Sequence, residues 1–498
     1  MLRDADDEYD LLIVGGGING AGIARDAAGR GLSVLLVEQD DLAAHTSSAS
    51  TKLIHGGLRY LEYGEFRLVR EALIERERLW GMAPHIIWPL RFVLPQTHSP
   101  RPAWMVRLGL FLYDHLGGRK KLPGTETVRL DRVPLGDGLT DRGGSAFVYS
   151  DCWVEDSRLV VLNALDAHER GAHILTRTRL ASARREGDRW HATIAGEAGE
   201  RAVCARIFVN AAGPWVVDVL ARAGVSRNDR GVRLVKGSHI VVPRLYSGDH
   251  AFMLQNPDRR IVFAIPYEQA FTLIGTTDLP WEGPPGTPAI SDEETHYLLD
   301  TANRYFARKV DVPDIAWSYS GIRPLFDDHA ANASAVTRDY VLDLDAGEGR
   351  APILSVFGGK ITTYRKLAEH ALEQLGEHIR GAGAAWTAGA WLPGGDMADF
   401  ELFLSTFGRE RPDVPPALLR RLAHAYGTRL SSWPRDLGED LGGGLHMAEV
   451  DYLVANEWAR SVEDILYRRS KLGLHVPPQT ADRLRDYLER LSAAAPAR

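Results

Sequence analysis

The chain has 498 residues, a formal charge of −7, 45% hydrophobic residues and 25% charged residues. That length predicts two or three domains, and the negative charge argues against a general nucleic-acid binder. Cys152 and Cys204, the two cysteines, make neither a disulfide scaffold nor a metal cluster. No run of about 18 apolar residues is present to cross a membrane, and the acidic first ten residues do not read as a secretory signal.

From Asp10 the chain reads Leu-Leu-Ile-Val-Gly15-Gly-Gly-Ile-Asn-Gly20-Ala-Gly, and a second apolar strand, Ser33 to Val37, ends at Glu38. Strand, glycine turn, helix, strand and acid are the parts that hold a dinucleotide. Gly15 permits the tight turn, Gly17 lets backbone approach a pyrophosphate, and Gly20 lets the helix pack on the sheet. Gly16 and Asn19 belong to the same turn. The helix amino terminus offers free N–H groups to phosphates, and Glu38 is placed to accept hydrogen bonds from ribose hydroxyls.

Further along, strand-like runs occur at Val34–Val37, Ile207–Val209, Ile240–Val242, Ile261–Ile265 and Phe271–Ile274, with helical patterns at Phe66–Leu79 and Leu159–Arg170. This mixture predicts an α/β dinucleotide-binding region interleaved with an antiparallel-sheet substrate region, spanning residues 1–390. After the breaker Trp391-Leu-Pro-Gly-Gly395 the periodicity turns helical, at Pro416–Tyr426, Met447–Tyr467 and Thr480–Leu491. Residues 391–498 therefore read as a C-terminal helical domain, a structural or dimerisation cap.

Three features favour FAD over a nicotinamide. The small and hydroxyl loop Ala43–Thr51 suits a long cofactor. Val209-Asn-Ala-Ala-Gly213 ends a strand in small residues. Phe357-Gly-Gly-Lys-Ile-Thr-Thr363 introduces a helix over Tyr364–Leu375, whose amino terminus suits negative charge on a reduced flavin.

At this point the chain resembles the FAD-dependent, aerobic glycerol-3-phosphate dehydrogenases along essentially its full length. The likeness is carried by Val14-Gly-Gly-Gly-Ile-Asn-Gly-Ala-Gly, Ser47 to Leu61, Lys236-Gly-Ser-His-Ile-Val-Val-Pro, Ile274-Gly-Thr-Thr-Asp, Tyr319-Ser-Gly-Ile-Arg-Pro-Leu, Ser355 to Glu369 and Asp436-Leu-Gly-Glu-Asp-Leu-Gly. The resemblance implies oxidation of sn-glycerol 3-phosphate to dihydroxyacetone phosphate, with electrons passing through FAD to a membrane quinone. It also implies a monotopic homodimer in the cytoplasm, attached peripherally to the inner face of the membrane. An oxidase that passes the electrons to oxygen and releases peroxide shares nearly every site motif, and a non-catalytic FAD-binding protein is a third reading.

By the same resemblance, Gly15, Gly16, Gly17, Asn19, Gly20, Glu38, Thr46, Ser47, Ser48, Lys52, Gly56, Ala212, Gly213, Gly358, Gly359, Lys360, Ile361 and Thr362 hold the cofactor. Arg59, Arg323 and Lys360 form a cationic floor for the substrate, lined by Tyr60. Arginine suits a phosphate because its planar fork meets two oxygens at once. Losing a hydride from C2 leaves an O–H proton to remove, so a base is needed; His239 is the first candidate and Lys360 the second. His55 is expected to position the cofactor loop. The segment Arg101–Lys121 places Trp104, Leu108, Phe111, Leu112 and His115 on one helical face, with Arg101, Arg107, Arg119, Lys120 and Lys121 at its ends. That pattern suits a helix lying in a membrane interface or one packed on the protein's own core.

Overall fold

The computed structural model describes residues 8–97, 99–119, 121–225, 231–286, 288–327 and 339–494. The strand Glu8–Val14 sits inside an eight-stranded sheet, parallel to Val34–Val37 on one side and to Gly199–Asn210 on the other. Arg350–Phe357 and His173–Leu175 extend the parallel part on either side. Alternation along the first strand explains its position. Leu11 and Ile13 join one buried cluster with the helices Ile18–Gly29, Asp156–Glu169 and Tyr364–Gln374. Leu12 and Val14 join another, with Trp190 and the helix Val216–Arg222 on the opposite face. A strand covered on both faces must be apolar at every position.

A second, ten-stranded and largely antiparallel sheet is built from segments that interrupt the first. Its strand Gly231–Pro243 pairs with Trp317–Asp327 and Phe271–Gly275, setting His239 opposite Tyr319 and Gly275, and Val235 opposite Arg323. The α/β region with an interleaved antiparallel sheet is therefore the architecture found. Three predicted helices of this region shift only at their ends, to Phe66–Met82, Asp156–Glu169 and Tyr364–Gln374. The predicted strand Ile207–Val209 is the end of the longer Gly199–Asn210.

Beyond Trp391 the helices Phe400–Glu410, Pro416–Tyr426, Met447–Asn456 and Pro478–Ala494 gather a hydrophobic cluster of their own. The continuous helix expected over Met447–Tyr467 does not form. It stops at Asn456, Trp458 takes a left-handed φ of 56°, and a separate turn runs over Asp464–Arg469. Val450, Leu453, Ile465 and Leu466 all reach the cluster, but from two pieces. Glu457 and Asp464 are buried against Arg158 and Arg177 of the preceding region.

The first helix crosses the sheet edge at very short range. A Cβ on Gly20 would stand 1.9 Å from the Gly15 carbonyl oxygen, and one on Gly15 would stand 2.5 Å from that of Ala211. We therefore expect Gly20→Ala to destabilise the protein by about 2 kcal/mol, as overpacked sites do. Thermal unfolding of the FAD-loaded protein measures this, and an unchanged midpoint would show that the helix can move aside.

Candidate active site

An elongated cavity of about 340 Å³ begins at the glycine turn and ends between the two sheets. At its first end stand Gly15, Gly17, Asn19 and Glu38, faced by Thr178, Arg179 and Leu180. Gly15 has a φ of 114°, a conformation open chiefly to glycine. Glu38 accepts hydrogen bonds from the Gly16 N–H (2.6 Å) and the Asp40 N–H (2.9 Å). Burial raises the Glu38 carboxyl above its ordinary range, against the lowering pull of those two N–H groups. Ser47 Oγ accepts from the Ile18 N–H at 3.0 Å, bringing the hydroxyl loop onto the helix amino terminus.

Along its length the cavity is lined by Thr46, Ser47, Ala49, Ala212 and Gly213, then by the Gly358–Thr362 turn. That turn is tied to the amino-terminal motif, because Asn19 Nδ2 donates to the Gly358 carbonyl at 3.1 Å. A Cβ on Gly359 would fall 2.7 Å from that same amide. Asn19 Oδ1 is buried without a partner, an acceptor facing the turn region that a bound group can satisfy. The glycine cradle, the helix amino terminus and a cavity of this length fit a dinucleotide such as FAD.

At the far end, Tyr60, His239, Thr276, Arg323 and Lys360 converge. The Lys360 ammonium lies 4.0 Å from the centre of the Tyr60 ring. Arg323 donates to the Thr277 carbonyl and to Asp278 Oδ1, both at 3.1 Å, and its side chain remains 43% exposed. His239 is buried, stacked on Tyr319 with ring centres 4.7 Å apart, and its Nε2 is 3.0 Å from Thr51 Oγ1. Its Nδ1 has no partner. Burial, followed by the positive charges of Lys52 and Arg323, pushes its pKa well below the ordinary 6.5, so the ring is neutral at neutral pH.

Six of the sequence-predicted residues lie outside the lining. Gly16 and Gly20 serve the turn and the helix packing. Ser48 faces a neighbouring cleft. Lys52 is fully buried in an ion pair with Asp156 at 2.7 Å, and Asp156 also accepts from Ser50 Oγ at 2.7 Å. The lysine thus braces the loop that presents Thr51 to His239, acting through that loop. Gly56 packs on Leu73 and Tyr113. Arg59 turns into an adjoining groove of about 230 Å³, with Leu58, Met105 and Leu112, and its Nε is buried without a partner. Sequence reasoning missed Thr51 as the histidine's partner and missed the wall Thr178–Leu180, for which no local motif exists.

Among the described residues, Glu38, Asp40 and His45 bring one ligand-type atom each within 4.8 Å of one another. Their carboxylates are taken by backbone N–H groups and by the His45 ring, so the trio wires the loop internally.

Comparison with known proteins fits this geometry. The FAD dependent oxidoreductase family matches residues 10–365. A glycerol-3-phosphate dehydrogenase of Pseudomonas aeruginosa is 55% identical, with 97% of this chain and 95% of that protein covered. The chain belongs to the FAD-dependent glycerol-3-phosphate dehydrogenases. A D-erythritol 1-phosphate dehydrogenase of Brucella abortus is 56% identical over 94% of this chain and 95% of that protein. The glycerol-3-phosphate dehydrogenase of Bacillus halodurans, solved with FAD, is similar in structure at 25% identity, with a TM-score of 0.75 and coverage of 98% of this chain and 91% of that one. FAD is accordingly the cofactor of this flavoprotein family member.

One surface stands apart from the cavity. The helix Ala103–Leu116 buries Val106, Leu110 and Tyr113 against the antiparallel sheet. Its other side leaves Trp104 70%, Leu108 51% and Phe111 54% exposed, and Tyr63 and Phe66 are also exposed. The face read from the sequence, with Trp104, Leu108 and Phe111, is thus not the one packed on the protein's own core. Its basic flank is partly engaged, with Arg101 paired to Glu62 and Arg119 to Asp114; Lys120 lies outside the described residues. No helix among the described residues is long and apolar enough to cross a membrane.

Proposed function

We propose that this protein oxidises sn-glycerol 3-phosphate to dihydroxyacetone phosphate, with hydride leaving C2 for N5 of FAD and the electrons passing to a membrane quinone. The observation that carries this reading is the convergence of Arg323, Lys360 and the neutral His239 at one end of a dinucleotide-shaped cavity. FAD supplies the hydride acceptor when bound. Gly15, Gly17, Asn19 and Glu38 would hold its adenosine and pyrophosphate end, and the Gly358–Thr362 turn its ring end.

The rest is work for side chains of this chain. Arg323 and Lys360 neutralise the phosphate and fix the carbon skeleton relative to the cavity wall. Tyr60 supports Lys360 from beneath. His239, uncharged at neutral pH, accepts the C2 hydroxyl proton, while Thr51 holds the ring in place. Because the pKa is lowered, protonation of His239 removes the base only well below pH 6.5, so the acid limb of the rate profile should lie below that value.

We further propose peripheral attachment to the inner face of the cytoplasmic membrane, where a quinone is available, by a protein acting as a homodimer; the exposed apolar face of Ala103–Leu116 supports the attachment alone. A second reading of the substrate, a four-carbon polyol phosphate, is favoured by the 56% identity to the Brucella enzyme. Anaerobic bleaching near 450 nm tests both: sn-glycerol 3-phosphate should bleach the enzyme at lower concentration than D-erythritol 1-phosphate, and the reverse order would select the second reading. Rapid reoxidation by a soluble quinone, with slow oxygen uptake, separates the dehydrogenase from an oxidase. Absence of bleaching by either substrate would reject both and leave a non-catalytic flavoprotein.

Arg323→Ala should raise the KM for sn-glycerol 3-phosphate roughly 30-fold, about 2 kcal/mol of lost charge-assisted bonding. Steady-state kinetics decide this, and an unaltered KM would remove Arg323 from the anion site. His239→Ala should slow flavin reduction by two orders of magnitude or more, on the order expected for a missing general base, with substrate affinity kept. A wild-type stopped-flow trace would pass the role to Lys360. Finally, the double substitution Leu108→Glu, Phe111→Glu should abolish sedimentation with anionic lipid vesicles while substrate bleaching is unaffected; retained sedimentation would place the membrane contact elsewhere.

A further inference from the structure

We infer that the C-terminal helical segment is part of the cofactor site: its turn Asp464–Arg469 clamps together the two walls that enclose the adenosine end of FAD, making Asp464, Arg468 and Arg469 positioning residues for cofactor retention. This rests on the assignment of the Glu38 end of the cavity to the adenosine.

The first wall is the loop that follows Val37. Glu38 turns into the cavity, whereas Asp41, three residues on and 3% exposed, turns the other way. Asp41 accepts two hydrogen bonds from Arg469, at 2.6 and 2.8 Å, and one from Arg468 Nε at 2.7 Å. Arg469 is itself buried, and it also donates to the Glu457 carbonyl.

The second wall is the connection that ends at Thr178, together with the start of the strand Arg179–Glu186, which carries Leu180. Thr178 N–H donates to the Glu38 carbonyl and Arg177 N–H to the Asp40 carbonyl, both at 2.7 Å, so the walls meet along their backbones. Arg177, in a left-handed conformation with φ of 52°, then reaches Asp464 at 2.6 Å. Asp464 also accepts from the Arg460 and Ser461 N–H groups at 2.7 and 3.0 Å, and it pairs with Arg468. One carboxylate therefore joins the second wall directly through Arg177 and the first through Arg468 and Asp41.

Loops between strands open more easily than the strands themselves, and the first wall and the Arg177–Thr178 part of the second are loops. A buried, multiply bonded ion network resists that opening, because removing one partner strands the others without solvent. Reciprocity then requires that docking of the C-terminal segment raise the affinity for FAD and that FAD strengthen the docking.

The test uses full-length apoprotein reconstituted with FAD, following quenching of flavin fluorescence. Asp464→Asn, which keeps the shape and removes the charge, should raise the Kd for FAD at least tenfold. At saturating FAD its kcat and its KM for substrate should stay within twofold of wild type, and its apoprotein should remain folded by far-UV circular dichroism at the assay temperature, a combination that general destabilisation would not produce. Hydrogen exchange over 457–470 should slow when FAD is added to the wild-type protein. Arg177→Met breaks the same link from the other side and decides the matter if Asp464→Asn fails to fold. Glu38→Ala serves as the control. If Glu38→Ala weakens FAD binding while a folded Asp464→Asn or Arg177→Met protein binds FAD within twofold of wild type, the clamp is overturned and the adenosine site stands. If Glu38→Ala also leaves the affinity unchanged, the adenosine assignment fails and the clamp falls with it.

Discussion

The site depends on one close approach, between the backbone leaving the first strand and the backbone leaving the strand that ends at Asn210. Val14 and Asn210 are paired across the sheet, the Ala211 N–H donates to the Val14 carbonyl, and Gly15 turns directly over the Ala211 carbonyl. No side chain fits between them. The amino terminus of the first helix, where Ser47 Oγ takes the Ile18 N–H, therefore opens onto the channel, and a long anionic cofactor can run close past the backbone. Asn19 then ties this amino-terminal corner to Gly358, more than three hundred residues later, which closes the channel around the cofactor's length.

Around this channel several charges are buried in ion pairs. Lys52 pairs with Asp156, Arg25 with Asp166, and Arg365 with Glu75, all nearly inaccessible to water. Arg158 pairs with Glu457 across the junction with the C-terminal helices. Such pairs add little to stability relative to well-packed apolar groups, since desolvation offsets their attraction. Their effect is directional: a guanidinium with two or three buried partners tolerates one arrangement of the segments that carry those partners. In this protein those segments are the cofactor loops and the helices behind them.

At the proposed catalytic end the positive side chains are less enclosed. Arg323 is 43% exposed although paired with Asp278, and Lys360 stands over an aromatic ring; in the proposed function these two supply the positive charge for a dianion. His239, a few residues away in space, is denied charge by burial and by that same positive surrounding. A cationic pocket that contains a neutral base can hold a phosphoester and still receive a proton, which separates the binding and acid–base tasks between different residues.

How much of this was legible in the chain follows from the range of the forces involved. The glycine turn, the two-sided apolar strands and the acid at Glu38 are local patterns, because backbone sterics and burial periodicity act over a few residues. Most helix ends were readable to within a few residues for the same reason, the exception being Met447–Tyr467, which stops at Asn456. The sequence could not reveal that Arg59 turns away from the substrate cavity, that Lys52 braces a loop, or that Thr178–Leu180 forms a cavity wall. Nor could it show that Glu457 and Asp464 are buried, since a charged residue in a helical pattern reads as solvated until its partner is found. Those outcomes were decided by which distant segments come together, and burial of these charges depends on partners, Arg158 for Glu457 and Arg177 for Asp464, that lie far away in the chain.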